Sequence, residues 1–361
     1  VLVLEALVAV GARLAAPGEF TQRAFLNGKL DLTQAEAVAD LIHASARQAH
    51  RTALAHLRGD YARLLESLRA ELLETASLVE LELDFSDEDV EFADRSRLAD
   101  LLARATDTVE ELLGSYRFGQ RVREGVRVAI LGRPNAGKST LLNALVGYDR
   151  AIVSPTPGTT RDEVEAEVEL EGLRFRFTDT AGLRDTGDAI EAEGVRRARA
   201  RAGTADLLIY VFDLALGLES DERVFVAAWI EGNPEGAAFV VGNKQDLASK
   251  ASLPDVPGAE VLATAASEST GVAALAERLA EAGRRGATDA AHTVTNTRHR
   301  AHLAAALDAL RRARVALAAG VSGDVLALDL RAALHELGAI TGQVTTEDVL
   351  DQIFSRFCIG K

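Results

Sequence analysis

Two hydrophobic periodicities divide the chain. From Thr33 to about Leu83, apolar residues recur three or four positions apart among Ala, Leu, Glu and Arg, which predicts helix. The acidic stretch Asp84-Phe-Ser-Asp-Glu-Asp-Val90 breaks that pattern, and a second helix is predicted from about Ser96 to Gly114. At Val126 the period changes. Short apolar runs at 126–131, 163–170, 173–179, 206–213, 237–242 and 259–263 predict strands, and a helix from Gly271 to about Ala282 closes the series. Helical spacing returns from Arg298 to Phe357. The pattern predicts an α/β domain inserted between two helical halves, an arrangement tolerated where the ends of the insert lie close together. The apolar stretch Val1–Val10 lacks a signal peptide's basic leader and cleavage pattern, and is expected to be a buried helix in the end of a small domain over residues 1–30.

Chemistry concentrates in the α/β part. Directly after Val126–Leu131 stands Gly132-Arg-Pro-Asn-Ala-Gly-Lys-Ser139, a G-x-x-x-x-G-K-S loop between a predicted strand and a predicted helix. Glycines let successive backbone N–H groups face phosphate oxygens, and the helix opening at Thr140 adds the positive end of its dipole. Lys138 is expected to reach the β- and γ-phosphates, and the Ser139 hydroxyl to ligate Mg²⁺. Asn135, Ala136, Gly137 and Thr140 complete the phosphate set. An ordinary glycine turn would share the spacing but has no need of the flanking strand and helix.

The base is legible too. Asn243-Lys-Gln-Asp246 follows the run Ala237–Gly242. An Asp carboxylate accepts hydrogen bonds from N1–H and the 2-amino group of guanine; adenine lacks that pair and leaves the charge unpaired. Asn243 is expected to brace the base and the phosphate loop, and the Lys244 stem to cover the base. Val261-Leu-Ala-Thr-Ala-Ala-Ser267, with Ala265 and Ala266, is the candidate last guanine loop. The nucleotide expected is GTP. Between these motifs lies Asp179-Thr-Ala-Gly182. Asp179 suits the carboxylate behind Mg²⁺, and Thr180, Ala181 and the Gly182 N–H suit the γ-phosphate side. Ser154-Pro-Thr-Pro-Gly-Thr-Thr-Arg-Asp162 has the composition of a mobile loop, in which Thr160 is assigned to Mg²⁺.

One absence is informative. Leu183 stands just after the Asp-x-x-Gly turn and cannot hydrogen-bond an attacking water. Glu191 and Glu193 are the nearby carboxylates; they equally suit the first turn of a helix, whose dipole favours negative charge. No arginine finger is identifiable. Asn135 can offer its side-chain oxygen to a monovalent cation beside the bridging phosphate oxygens, supplying the missing positive charge, or it can simply cap the loop.

Composition narrows the setting. The chain has 361 residues, 48% hydrophobic but only 5% aromatic, which suits a helix-rich globular protein of two or three domains. A single Cys excludes an internal disulfide and points to a cytoplasmic location. No apolar run approaches the ~18 residues that span a membrane. A net charge of −15 argues against a general nucleic-acid binder. RNA contact would need a partner protein or a local basic patch. The arginine runs are Arg196, Arg197, Arg199, Arg201 and Arg311, Arg312, Arg314, and on helices such runs are usually solvated faces.

The whole set resembles one family, the bacterial and organellar tRNA-modifying GTPase MnmE (TrmE), across essentially the full chain. Pro17-Gly-Glu-Phe-Thr-Gln-Arg-Ala-Phe-Leu-Asn-Gly-Lys-Leu-Asp-Leu-Thr-Gln-Ala-Glu36 is similar to that family's junction between folate and helical domains, and Cys358-Ile-Gly-Lys361 to its tail. The cassette between them is shared with other translation-associated GTPases. The resemblance implies a Ras-like α/β P-loop GTPase domain with a mostly parallel sheet, inserted into an all-α helical domain, with a remnant of an α+β N-terminal domain. It implies the end of a folate-binding and dimerisation domain over 1–30, helical halves over 31–123 and 287–361, and the GTPase domain over 124–286, with the start of the folate domain outside the chain. It further implies a homodimer that joins a flavin-dependent partner, MnmG, in a heterotetramer. The partner carries FAD. Together they add an aminomethyl or carboxymethylaminomethyl group to C5 of the wobble uridine of certain tRNAs, with a tetrahydrofolate derivative supplying one carbon. GTPase domains would meet when GTP and K⁺ are bound. By position, Asn135, Ser154, Thr156 and Thr159 match K⁺ ligands, and Glu191 matches the water-orienting residue. Cys358 matches the tail cysteine required for modification, and Lys29 and Lys361 match folate-site positions. Three features depart from the family pattern: the missing start, Pro155 and Pro157 in the cation loop, and Ala265-Ala266 where Ser-Ala is usual. The competing reading is a GTP-gated ribosome-assembly or signalling switch without modification chemistry, which has no reason to carry the tail or the Lys29 segment.

Overall fold

The computed structural model describes residues 2–84, 95–148, 166–179, 202–248, 251–355 and 357. Six helices come first: α1 (Leu2–Ala9), α2 (Glu19–Leu26), α3 (Leu32–His43), α4 (Arg47–Leu57), α5 (Asp60–Asp84) and α6 (Arg95–Glu124). Then follow β1 (Val126–Leu131), α7 (Lys138–Tyr148), β2 (Ala166–Leu170), β3 (Leu173–Asp179), β4 (Leu207–Asp213), α8 (Ser220–Gly232), β5 (Ala237–Asn243), β6 (Ala259–Ala263) and α9 (Val272–Gly283). The last helices are α10 (Thr297–Ala318), α11 (Gly323–Thr341) and α12 (Glu347–Phe354). Contacts divide the chain into a unit of Val1–Ser45, Ala49–Gly119 and Gly286–Lys361, and a unit of Ala46–Gln48 and Gln120–Arg285.

The first unit is helical, and its core is a leucine zone. Tyr61, Leu65, Leu72 and Val79 of α5 meet Leu98, Leu102 and Leu112 of α6, Leu303 and Leu310 of α10, and Leu330 and Leu337 of α11. The helical pattern over Thr33–Leu83 and that over Arg298–Phe357 each resolve into three helices. In the first stretch the chain turns at Ala44, where ψ is 116°, and at Gly59, where φ is 79°. These turns are too short to disturb the apolar spacing on either side. Conversely, α6 runs past the expected end at Gly114. Gly119 does not end it either: a Cβ there would stand 2.0 Å from the Val294 carbonyl oxygen, so glycine serves close packing. Helix α1 forms, but the expectation of burial is wrong, since none of its residues is buried and Leu2 is 82% exposed. Its apolar positions surround the helix, and the described residues cover none of them. Arg311 pairs with Glu110 at 2.9 Å and Arg312 with Asp329 at 2.8 Å, so that run is an ion-paired helix face. Arg196–Arg201 lies outside the described residues.

A buried polar knot sits among these helices. Glu36 of α3 accepts from Arg298 Nη2 at 2.9 Å and Nε at 3.1 Å, from Asn296 Nδ2 at 3.0 Å, and lies 2.6 Å from His299 Nε2. Arg298 also donates to the carbonyls of Ala339 and Ile340 at the end of α11. His56 and His299 stack on either side of Tyr61, with centroid separations of 5.0 and 5.5 Å. Burial pushes the Glu36 carboxyl up, but His299 and Arg298 outweigh it and hold the group at about 2. Burial keeps His299 below the ordinary histidine value, so the permanent cation here is Arg298. Burial, helped by His299, drives His56 from 6.5 down to about 4. Between those values the unfolded chain takes up a proton that the folded one refuses, so stability falls as pH falls. The expected loss from His56 alone is about 3 kcal/mol across that window. Urea titrations followed by far-UV circular dichroism at pH 7, 6, 5 and 4 check it. His56→Phe, which keeps the ring stack, should flatten the slope, leaving the part owed to His299.

The second unit holds one six-stranded sheet of order β2-β3-β1-β4-β5-β6. Only β2 runs antiparallel, against β3. Parallel strands covered on both faces read as unbroken apolar runs, which made them visible in the sequence. From β1 the chain runs to β2 and β3 on one side of it, and from β3 it passes to β4 on the other side. The carboxyl end of β1 is therefore a topological switch point, where open α/β sheets bind ligands. No helix among the described residues is long and apolar enough to cross a membrane.

Candidate functional site

The phosphate loop is shaped by its glycines. Gly132 has φ of 143°, and a Cβ there would lie 1.9 Å from the Val211 carbonyl oxygen on β4. Gly137 has φ of 95°, and its Cβ would meet Asn243 Nδ2 at 2.2 Å. Asn135 takes a left-handed conformation too, with φ of 61°. Helix α7 starts at Lys138, held to the unit by buried Leu141, Leu142 and Leu145. Lys138 Nζ donates to the carbonyls of Gly132 at 2.9 Å and Arg133 at 2.7 Å. Ser139 and Thr140, in the first turn of α7, are exposed. Strand register puts Asp179 opposite Ile130, beside the end of β1.

The guanine motif is joined to this loop through one side chain. Asn243, buried at the end of β5, donates from Nδ2 to the Ala136 carbonyl at 3.1 Å. Its Oδ1 accepts from the Thr264 hydroxyl and from the Ala266 N–H, both at 3.1 Å. A bridge between Ala265 and Thr270 closes that last loop. Lys244, at φ 64°, pairs with Asp213 at 2.8 Å. The Lys244 hydrogen bond holds the Asp213 carboxyl below the usual range against partial burial. Asp246 is exposed. Asn243→Ala would orphan three polar groups at once, and is expected to destabilise this unit by about 3 kcal/mol. The chain's one Trp, Trp229, is buried in this unit's core with Nε1 donating to Ala202 O at 2.7 Å, so tryptophan fluorescence in denaturant reads the loss.

The structure thus gathers Asn135, Ala136, Gly137, Lys138, Ser139, Thr140, Asp179, Asn243, Lys244, Asp246, Ala265 and Ala266 around the ends of β1, β3 and β5. Ser154, Thr156, Thr159, Thr160, Thr180, Ala181, Gly182, Leu183, Glu191, Cys358 and Lys361 lie outside the described residues. Lys29 is exposed just after α2. Three contributors escaped sequence reasoning. Asp213 was detectable as the charged residue ending an apolar strand run, and Thr264 lay within the candidate last guanine loop without a role of its own. Arg133 carried no signal, because its position in the loop pattern admits any residue.

Comparisons with known proteins place the chain by family. The family model described as MnmE helical domain matches residues 32–358, and that described as GTP-binding protein TrmE N-terminus matches residues 1–29. The chain is 57% identical to the tRNA modification GTPase MnmE of Salinibacter ruber, covering 100% of this chain and 79% of that one. It is 46% identical to the protein of the same name from Chlorobium phaeobacteroides, covering 99% and 77%. With that from Cytophaga hutchinsonii it shares 45% identity, covering 99% and 78%.

Proposed function

This chain belongs to the MnmE family of tRNA modification GTPases, and from that membership we propose that it is a K⁺-stimulated GTPase activated by pairing of its GTPase domains within a tRNA wobble-uridine modification complex. It hydrolyses GTP to GDP and phosphate. The observation that carries the reading is the Asn243–Ala136 hydrogen bond of 3.1 Å, which ties a guanine motif to a phosphate loop as one site. Gly132 and Gly137, where a Cβ would strike Val211 and Asn243, let the loop close against β4 and β5 in the positive-φ conformations that turn backbone N–H groups toward phosphate. Ser139 and Thr160 would hold Mg²⁺; Asn135, Ser154, Thr156 and Thr159 would hold K⁺. Both cations would neutralise charge on the phosphates. Asp246 selects guanine, Lys138 positions the γ-phosphate, and Glu191 orients water where Leu183 cannot. Cys358 and the exposed Lys29, with Lys361, serve the modification side, the lysines suiting an anionic folate donor. The domain boundaries follow the motifs: 1–30, 31–123, 124–286 and 287–361. The protein would work in the cytoplasm as a homodimer bound to a flavoprotein of the MnmG type, with tRNA held by the complex.

Hydrolysis in K⁺ and Na⁺ at matched ionic strength, over a range of protein concentrations, tests this. Turnover at least about tenfold faster in K⁺, rising with concentration, is expected. Equal, concentration-independent rates would remove the cation site and domain pairing. Capture of a flavoprotein in a pull-down supports the modification role; capture of ribosomal subunits supports an assembly switch.

A further inference from the structure

Lys138 and Asn243 hold the phosphate loop from within, but its second residue is held from outside. Arg133 donates from Nη2 to Glu222 Oε2 at 2.7 Å and from Nη1 to Glu219 Oε1 at 2.5 Å. Glu222 is only 4% exposed. Its Oε1 accepts from the Tyr210 hydroxyl on β4 at 2.9 Å, and its Oε2 accepts from the Glu219 backbone N–H at 2.7 Å. Glu219 and Glu222 are also the two members of the capping box that opens α8. One buried carboxylate therefore caps a helix, receives a strand hydroxyl and takes a cation from the loop. The same Arg133 offers its backbone carbonyl to Lys138 Nζ at 2.7 Å.

We infer that the Arg133–Glu222 pair is the positioning device of the phosphate loop, fixing the Arg133 carbonyl that seats Lys138 and so setting the grip on the triphosphate. The inference rests on the proposed reading of Gly132–Ser139 as the GTP loop. Both Nη atoms of Arg133 are committed to carboxylates, so it is not an arginine finger acting within its own chain. The forked geometry needs guanidinium; a lysine ammonium restores charge but not both bonds. Burial of Glu222 makes the pair tight, because a carboxylate stripped of its cation there is uncompensated.

The test is stopped-flow dissociation of fluorescent GTP and GDP analogues, with kcat and KM, on the full chain. Arg133→Ala is expected to speed dissociation and raise KM about tenfold, while kcat falls less than about twofold. Arg133→Lys should recover only part of this. Glu222→Gln, a milder change that keeps the helix cap, should shift dissociation the same way. The double variant should be no worse than the poorer single, since both remove one interaction. A variant that folds by Trp229 fluorescence yet releases nucleotide at the wild-type rate overturns the inference, as does simple additivity. Lys138→Ala separates the two levels. If it binds GTP as tightly as wild type, the loop reading itself fails; if it loses binding while Arg133→Ala and Glu222→Gln do not, only the positioning role fails.

Discussion

Asp246→Asn is expected to lower GTP affinity by about 10³-fold or more and to create affinity for xanthosine triphosphate. Guanine presents N1–H and a 2-amino group, and a carboxylate accepts from both. An amide presents one acceptor and one donor, so its NH₂ would face the guanine 2-amino group and leave two donors opposed. Xanthine carries a 2-oxo group there, which accepts from the amide. The backbone around Asp246 is set before any base arrives: the Gln245 N–H donates to the Thr264 carbonyl at 3.0 Å, and the Leu247 N–H to the Lys244 carbonyl at 3.0 Å. Lys244 itself occupies the left-handed region at φ 64°, a strained conformation for a side-chain-bearing residue. A rigid turn of this kind converts one lost hydrogen bond into a steep penalty, because the loop cannot swing to find another. Competition binding with a fluorescent guanine nucleotide measures both effects. Unchanged GTP affinity in a folded variant would remove Asp246 from the base site.

The sheet and the phosphate loop were readable because their physics is local. Parallel strands announce themselves as apolar runs, and a glycine–lysine–serine turn after one of them has few other uses. Asn243 and Asp246 were readable for the same reason: Asn243 ends β5, and Asp246 follows three residues later in the turn. The helical unit was harder. Its breaks at Ala44 and Gly59 occupy a few residues between long amphipathic stretches, so apolar spacing runs through them. The glycine of α6 that looked like a stop at Gly114 has open space around it, and the next, Gly119, is a packing contact. What no local pattern could disclose are the long-range polar pairings. Glu36 and Arg298 lie 262 positions apart, and Arg133 and Glu222 lie 89 apart. Each member alone looks like a solvated charge. Only the fold shows that Glu36 and Glu222 are buried carboxylates whose cations reach them from distant segments. The exposure of α1 has a related cause: apolar composition predicts a preference for cover, and the described residues supply none.

Glu191→Ala is expected to reduce kcat for GTP by about 10²-fold or more while leaving nucleotide affinity within about twofold. Leu183 has no polar atom, and Arg133 is bound to two carboxylates. Lys138 is assigned to the phosphates. A carboxylate in the sequence after Asp179–Gly182 can accept a hydrogen bond from water, and the role is proposed for Glu191 on its match to the family. The proposed role is orientation rather than binding, so the defect is expected in kcat and not in KM. Glu191→Gln discriminates further: if an oriented hydrogen bond suffices it retains much of the rate, and if the negative charge is needed it behaves like Ala. Glu193→Ala is the internal control. Should that variant, and not Glu191→Ala, lose turnover, the water-orienting role moves two positions along the chain. Should neither lose it, the K⁺ dependence becomes the decisive measurement, because a cation beside Asn135 would then have to supply most of the acceleration without a positioned base.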